Sequence, residues 1–348
     1  MAKPTGLAVY GRQIIPHLRG LDPLLLSPQQ HSGCRVYPVA ANMSAEQGSA
    51  GHRRRLLWTQ RSLPRIYRTS GADLLFSPVP EAPLWQGQRF VVTVHDFIAR
   101  RFGKATAPLT LYTRYYVPQV LQQARHVIAN SAATAQDAID FCGVSGQKIT
   151  VIPLAYDTDH FQDLALPVRP YFLYLGRHDP HKNVARIVAA FAQIARSTDC
   201  ELWLAGTPDP RYTPQIKAQA QEYGIGDRIH HLDYVPYSGL PALINQATAL
   251  VFPSLWEGFG LPVLEAMACG TPVLTSNLSS LPEVAGDAAL LVNPYEVAEI
   301  ASGMRAIAMD SSMRQQLKQA GLARANQFSW QQTGDETRRV LSHQAGSA

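Results

Sequence analysis

The sequence of 348 residues has few cysteines, no apolar run near the roughly 20 residues that cross a bilayer, and no recognisable metal-binding motif. Its four cysteines are far apart and form no CxxC pair, so we expect neither a disulfide framework nor a zinc site. The eleven histidines include no HExxH motif, and no bound metal or cofactor is expected. Residues 1–20 lack the apolar core of a signal peptide, which favours a cytoplasmic location.

Length and composition favour a globular protein of two domains. Single hydrophobic cores stop growing beyond roughly 250 to 300 residues, and 46% of this chain is apolar while 16% is charged. Residues 153–170 lack helical periodicity and carry three prolines, as is typical of a linker. We therefore place an N-terminal domain at 1–160, a C-terminal domain at 161–326, and a terminal helix at 327–348 that packs back towards the N-terminal domain.

Basic residues are concentrated in the first half. Residues 1–170 hold 18 Lys and Arg against 10 Asp and Glu, whereas residues 171–348 hold 13 against 16. No aromatic and basic pattern of an RNA- or DNA-binding module is present, so nucleic acid is not an expected partner. A phospholipid surface or a phosphate-bearing acceptor fits this charge better.

The segment from His52 to Arg68 sets Arg54, Arg61, Arg65 and Arg68 along one stripe at helical spacing. An ordinary core helix with a solvated basic side accounts for this pattern. The functional alternative is peripheral contact with an anionic membrane, on the inner face of the cell membrane.

Short β-branched runs alternate with amphipathic stretches along the chain, which predicts parallel sheets with crossover helices. Both halves are expected to be doubly wound α/β domains that face each other across a cleft. The expected strands lie at 90–94, 126–129, 150–152, 171–175, 201–205, 229–232, 249–252, 272–275 and 290–292.

The segment GRHDPHKN, residues 176–183, follows an expected strand and precedes an expected helix. Gly176 at the strand end, with Arg177 and Lys182 nearby, suits the diphosphate of a nucleotide. The two cations could neutralise a departing diphosphate without a metal ion. Solvated cations on a surface loop are the ordinary alternative.

A second segment, PSLWEGFGLPVLEAMACGTPV at residues 253–273, combines a strand end, a glycine-containing loop and a helix. Carboxylates accept hydrogen bonds from hydroxyls, so Glu257 in the loop could hold a sugar and Glu265 in the helix a ribose. A loop charge and a first-turn acid are the ordinary alternative. If the protein were a hydrolase, the two carboxylates would act as acid and base across a glycosidic bond. A dehydrogenase would need the motif GxGxxG after a strand, and this chain has Val263 at the position of the third glycine.

These two segments, followed by SNLSSLPEVAGDAALLVNP at 276–294, resemble the family 4 retaining glycosyltransferases of the GT-B fold. The resemblance covers nearly the entire second half. It implies that Arg177 and Lys182 bind the donor diphosphate, Glu257 the transferred sugar and Glu265 the ribose. It further implies that the amides of three loop residues touch the sugar or phosphate and that backbone near Val235 borders the base; the three are Phe259, Gly260 and Leu261.

Segments of the first half also resemble this family. VVTVHDF places His95 and Asp96 at a strand end, where His95 could donate to a sugar hydroxyl or exchange a proton. Asn130 and Ser131 are expected to cap a helix, with Ser131 also a candidate acceptor contact. The segment Thr5–Leu18 resembles the first glycine loop and helix, so Gly6 could approach the donor, although the strand that precedes it in the family is missing.

The sequence therefore predicts retaining, metal-independent transfer of a sugar from a nucleotide-sugar co-substrate, with His95, Glu257, Arg177 and Lys182 as the catalytic set. UDP- or GDP-sugars are the favoured donors, and a hydroxyl of a glycan or lipid-linked acceptor is the favoured acceptor. A GT-B sugar-nucleotide epimerase and a non-catalytic nucleotide-sugar binding protein are the alternatives. In the family an asparagine and a glycine stand where this chain has Leu154 and Ala155, so no role is transferred to those two positions.

Overall fold

The computed structural model describes residues 6–44 and 47–346, and the chain forms two compact α/β units. The first unit consists of Met1–Leu154 with Trp330–Ala348, and the second of Ala155–Ser329. The unit boundaries thus fall at 154/155 and 329/330, whereas the sequence predicts 160/161 and 326/327. Thr5 of the predicted glycine-loop segment and residues 347–348 of the predicted terminal helix lie outside the described residues. No helix within the described ranges is long and apolar enough to span a membrane.

The first unit contains a two-stranded parallel ribbon and a four-stranded parallel sheet. The ribbon pairs β1 with β2, and the sheet has the order β3-β4-β5-β6. Every residue of β4 is buried, as expected for an internal strand of a parallel sheet. The predicted β4, β5 and β6 are confirmed, and the bounds of the six strands are Leu24–Ser27, Arg35–Pro38, Leu75–Ser77, Phe90–Val94, His126–Ala129 and Ile149–Val151.

Seven helices precede the second unit in the described part of the first. Two of them, Val117–Gln123 and Ala132–Cys142, pack on the sheet through apolar side chains such as Val120, Leu121 and Ala138, which are fully buried in one cluster with side chains of β4 and β5. A π-helical turn over Tyr112–Tyr116 separates α5 from α6. Helices α1 to α7 are Gly6–Ile14, Gly48–Arg61, Leu63–Ser70, Ile98–Phe102, Pro108–Leu111, Val117–Gln123 and Ala132–Cys142.

The predicted basic helix between His52 and Arg68 is instead two helices, α2 and α3, which meet at Ser62. Pro64 lies in the first turn of α3 and has no N–H to continue the hydrogen-bonding pattern of α2. The arginine stripe is nevertheless exposed along both helices. Arg55 lies outside the stripe and donates two hydrogen bonds of 2.7 Å to the buried carboxylate of Glu81.

The second unit is built on one parallel six-stranded sheet with the order β12-β11-β10-β7-β8-β9. The six strands predicted for this half are confirmed, with ends shifted by at most two residues. Strands β7 to β12 are Arg169–Leu175, Glu201–Ala205, Ile229–Asp233, Ala247–Phe252, Val273–Ser276 and Leu290–Val292.

The helices of the second unit follow these strands in a regular alternation. The helix α8 shows why the sequence forms them, since its apolar residues Ile187, Val188 and Phe191 are spaced for one face and are fully buried. Helices α8 to α14 are Val184–Ile194, Thr213–Glu222, Leu240–Asn245, Leu261–Ala268, Leu281–Ala285, Val297–Met309 and Ser311–Ala325.

The C-terminal helix α15, Trp330–Gly346, belongs to the first unit. Its Trp330 ring lies 6.3 Å from the ring of Tyr10 in α1. The Thr333 hydroxyl donates to the carbonyl oxygen of Pro153 at 2.8 Å, and Arg89 donates to the carbonyl oxygen of Gln344 at 2.8 Å. Helix α15 is therefore held by both packing and hydrogen bonds.

Candidate functional site

The two motifs of the second half are brought together by strand order. β7 and β10 are neighbours at the centre of the sheet, although β8 and β9 separate them along the chain. From β7 the chain winds one way through β8 and β9, and from β10 it winds the other way through β11 and β12. Such a switch in winding direction opens a crevice at the carboxyl ends of the two strands, where α/β proteins bind ligands.

Lys182 and Glu257 meet in this crevice. The Lys182 ammonium donates to both carboxylate oxygens of Glu257, at 2.7 and 2.8 Å. Only 18% of the Lys182 side chain and 9% of the Glu257 side chain are exposed. The two residues thus form a largely buried ion pair that joins the loop after β7 to the loop after β10.

Arg177 is the more accessible cation, with 66% of its side chain exposed. Its guanidinium lies 3.2 Å from Asp179 and 3.5 Å from the buried carboxylate of Asp209. Arg211 contacts the same two carboxylates, so the four side chains form a cluster without net charge. Hydrogen bonds from Arg211 hold the pKa of Asp209 well below its usual range.

The amides that the resemblance assigns to the donor have no competing partner. The backbone N–H groups of Phe259, Gly260 and Leu261 donate no hydrogen bond to any other described residue. They lie at the start of α11, where the helix dipole favours a negative charge. The loop itself is fixed by Ser279, which accepts from the Glu257 N–H at 3.0 Å, and by Ser280, which donates to the Phe259 carbonyl oxygen at 2.8 Å.

Two glycines adopt unusual backbone conformations, Gly176 in the loop after β7 and Gly260 in the loop before α11. Gly260 has a φ of 112°, and a Cβ there would lie 2.7 Å from Leu281. Gly176 has a φ of 146°, and a Cβ there would lie 3.0 Å from the Tyr174 hydroxyl. A side chain at either position would be strained, because residues with a Cβ rarely adopt such a positive φ.

Glu265 occupies a different environment from Glu257. It is half-buried in α11, and its carboxylate has no hydrogen-bond partner in the described part of the chain. Burial and the nearby Asp157 raise the pKa of Glu265 to about 7. Asp157 also accepts a 3.1 Å hydrogen bond from Tyr237, which follows Val235 in the loop after β9. Asp157 therefore lies near Glu265, the predicted ribose contact, and is hydrogen-bonded to the loop that is predicted to border the base.

His95 of the first unit follows β4, and its geometry restricts its chemistry. Its Nε2 lies 2.9 Å from the carbonyl oxygen of Pro78, an acceptor only, so Nε2 carries the proton. Burial lowers the pKa of His95 to about 4, so the ring is neutral at physiological pH. The remaining nitrogen, Nδ1, can accept a hydrogen bond from a hydroxyl but cannot donate one.

The other first-unit candidates have local structural roles. Asp96 is exposed and accepts from the Ile98 N–H at 3.0 Å at the start of α4. Ser131 is buried and caps α7 by accepting from the Thr134 N–H at 3.0 Å, as the sequence predicts. Gly6 is the first residue of α1.

Several residues that hold the site together have no signal in the local sequence. Asp209 and Arg211 brace Arg177 from a loop more than 30 positions away, and Ser279 and Ser280 brace the Glu257 loop. The two serines could have been suspected, because they lie in the segment 276–294 on which the resemblance partly rests. Asp209 could not, because an Asp two residues before an Arg is typical of any polar loop.

The chain thus has two Rossmann-like units, and the second has a crevice suited to an anion where the winding direction of the sheet changes. This combination is typical of the GT-B class of proteins. Two family models match the chain, "Glycosyltransferase Family 4" at residues 19–160 and "Glycosyl transferases group 1" at residues 156–324. The chain belongs to the group 1 glycosyltransferases with the GT-B fold.

Curated relatives agree with this assignment. The chain is 32% identical to the O-antigen chain mannosyltransferase B of Escherichia coli over 65% of its own length and 62% of that protein. It is 34% identical to the MMP alpha-(1->4)-mannosyltransferase of Mycolicibacterium hassiacum over 63% of its own length and 54% of that protein. The matched regions therefore span less than two thirds of these relatives.

Solved structures share the fold across the whole chain. A sucrose-phosphate synthase from Thermosynechococcus elongatus superimposes with a TM-score of 0.77 at 23% identity, covering 99% of this chain and 94% of that one. The Anabaena protein HepE, in complex with UDP and glucose, superimposes with a TM-score of 0.75 at 18% identity, covering 98% of this chain and 97% of that one. At these identities the likeness establishes the fold alone.

The raised pKa of Glu265 predicts a pH-dependent stability. Between its ordinary value of 4.5 and about 7, the folded protein binds a proton that the unfolded chain has released. Stability from this group is therefore complete below pH 4.5 and is lost as the pH rises through 7. Relative to Glu265→Gln, the free energy of unfolding of the parent should fall by up to about 3 kcal/mol across this range. Urea unfolding of both proteins at several pH values measures the difference, and parallel curves would contradict the assigned environment.

Proposed function

We propose that the protein transfers a hexose from a nucleotide-sugar donor to a hydroxyl of a glycan or lipid-linked acceptor, with retention of configuration and without a metal ion. The observation that carries the proposal is the crevice at the ends of β7 and β10, whose two loops carry Arg177, Lys182 and three unpartnered amides. These groups suit a diphosphate. UDP and GDP are the proposed nucleotides, and the names of the mannosyltransferase relatives favour mannose as the sugar.

Electrostatic stabilisation of the leaving diphosphate is the main proposed catalytic effect. As the bond from the sugar to the diphosphate breaks, negative charge grows on the phosphate oxygens. Arg177, Lys182 and the start of α11 would stabilise that charge, which is the work of a metal ion in other transferases. No group of three or more His, Cys, Asp or Glu side chains in the described ranges is placed to hold a metal ion.

The sugar and the nucleoside are proposed to contact different carboxylates. Glu257, at the loop before α11, would accept hydrogen bonds from sugar hydroxyls. Glu265, one turn into α11 and close to Asp157, would contact the ribose, with the backbone near Val235 along the base. The acceptor hydroxyl would attack from the face that the diphosphate leaves, and a phosphate oxygen would take its proton.

His95 is proposed to accept a hydrogen bond from a hydroxyl of the transferred sugar through Nδ1. This role follows from its fixed tautomer, since Nε2 donates to Pro78 and the ring is neutral near pH 7. Asp96 and Ser131 stay candidates for acceptor contacts, although both already make local hydrogen bonds.

The transfer is tested by following nucleoside diphosphate release from UDP- and GDP-hexoses, with and without glycan and lipid-linked acceptors, in the presence of a metal chelator. We expect release that depends on both one donor and one acceptor and that persists in the chelator. Turnover restored only by magnesium or manganese would contradict metal independence. Conversion of the sugar without an acceptor would favour an epimerase, and donor binding without turnover would favour a binding protein.

Peripheral contact with an anionic membrane is a second, separate proposal, carried by the exposed arginine stripe of α2 and α3 and by Leu57, which is 55% exposed beside it. Reversing Arg61 and Arg65 to Glu should reduce binding to vesicles that contain anionic lipid. Added salt should act similarly, because surface attraction is screened within about 8 Å at physiological ionic strength.

A matched control reverses two exposed cations of the second unit, Arg196 and Lys217, to Glu. This control changes the net charge by the same amount and should leave vesicle binding unchanged. Equal loss in both variants would assign the binding to overall charge, and no loss in either would make the stripe an ordinary solvated surface. Vesicle co-sedimentation gives the bound fraction for each protein.

A further inference from the structure

The Lys182–Glu257 ion pair presents a conflict for the proposed donor site. Each side chain is the other's sole side-chain hydrogen-bond partner within the described residues, and the lysine donates to both carboxylate oxygens. Both are shielded from water, with 18% and 9% of their side chains exposed. The charge that would attract a phosphate is therefore already neutralised by the carboxylate that would bind the sugar.

A nucleoside diphosphate alone cannot resolve this conflict. It can draw the lysine away because a diphosphate carries more negative charge than a carboxylate, but Glu257 is then left shielded from water and unpaired, which is costly. An intact donor supplies sugar hydroxyls that can donate to Glu257. The intact donor therefore replaces both halves of the ion pair, whereas the free diphosphate replaces one.

From this geometry we propose that Glu257 competes with the diphosphate for Lys182. The site therefore binds the intact nucleotide-sugar in preference to the nucleoside diphosphate that remains after transfer. The inference rests on the proposed function, because it assigns the phosphate to Lys182 and the sugar to Glu257. Its consequence is that the pair assists product release: once the sugar has left, Glu257 regains Lys182 and displaces the diphosphate.

The proposal predicts a gain of affinity from the loss of a site residue. Glu257→Gln removes the competing charge, so the variant should bind UDP or GDP about tenfold more tightly than the parent, as expected when a binding-competent state becomes the major one. The same variant should lose the preference for intact donor over diphosphate. A contact made only to the sugar, with no competition, would leave diphosphate affinity unchanged.

Calorimetric titration with UDP, GDP, inorganic pyrophosphate and UDP- and GDP-hexoses measures these affinities. Glu222→Gln is the matched control, since it removes one exposed carboxylate from the same unit and should bind as the parent does. In a Lys182→Ala background, Glu257→Gln should no longer tighten diphosphate binding. That loss of coupling distinguishes competition for the lysine from a general effect of charge or fold.

Unchanged or weaker diphosphate binding by folded Glu257→Gln would overturn the inference while leaving the proposed function in place. Failure of the parent to bind any nucleotide would overturn both. If Glu257→Gln does not fold, Glu257→Asp replaces it, because the shorter carboxylate keeps the charge but cannot span the same distance to Lys182. It should tighten diphosphate binding by a smaller factor, and an unchanged affinity would again overturn the inference.

Discussion

The parallel pairing of β7 with β10 is the constraint on which the second unit's site depends. Residues on these strands pair in register, Ala249 with Phe172 and Leu250 with Leu173, and each strand then runs into one of the two motif loops. Had either strand paired elsewhere in the sheet, Lys182 and Glu257 would not meet. The buried apolar residues that fix the pairing thus position polar groups that contribute nothing to the pairing themselves.

Charge balance is the second feature of the site. Arg177 lies against Asp179 and Asp209, and Lys182 lies against Glu257. Without a bound nucleotide, both cations that are proposed to bind phosphate are therefore paired with carboxylates. A buried cation without such a partner would be costly. The three unpartnered amides at the start of α11 differ, because they attract an anion without any counter-charge to displace.

The fold was largely predictable, since long apolar runs such as FVVTV and YFLYL are fully or mostly buried and leave little choice of structure. Strands β1 to β3 were missed because they are short and partly exposed, with Arg35, Tyr37 and Pro38 facing solvent in β2. Residue types and loop positions suggested the site residues. Their pairing was not predictable, because the Lys182–Glu257 contact joins positions 75 residues apart and depends on strand order.

The proposed function depends on the binding of a nucleoside diphosphate by the second unit at the ends of β7 and β10. Calorimetric titration of UDP and GDP into the parent, Arg177→Ala, Lys182→Ala and the surface control Arg196→Ala tests it most directly. Hydrogen bonds to charged groups contribute roughly 1.5 to 3 kcal/mol, so each site variant should bind the preferred nucleotide at least about tenfold more weakly, while Arg196→Ala binds as the parent does. Folded site variants that bind the nucleotide as tightly as the parent would contradict the claim.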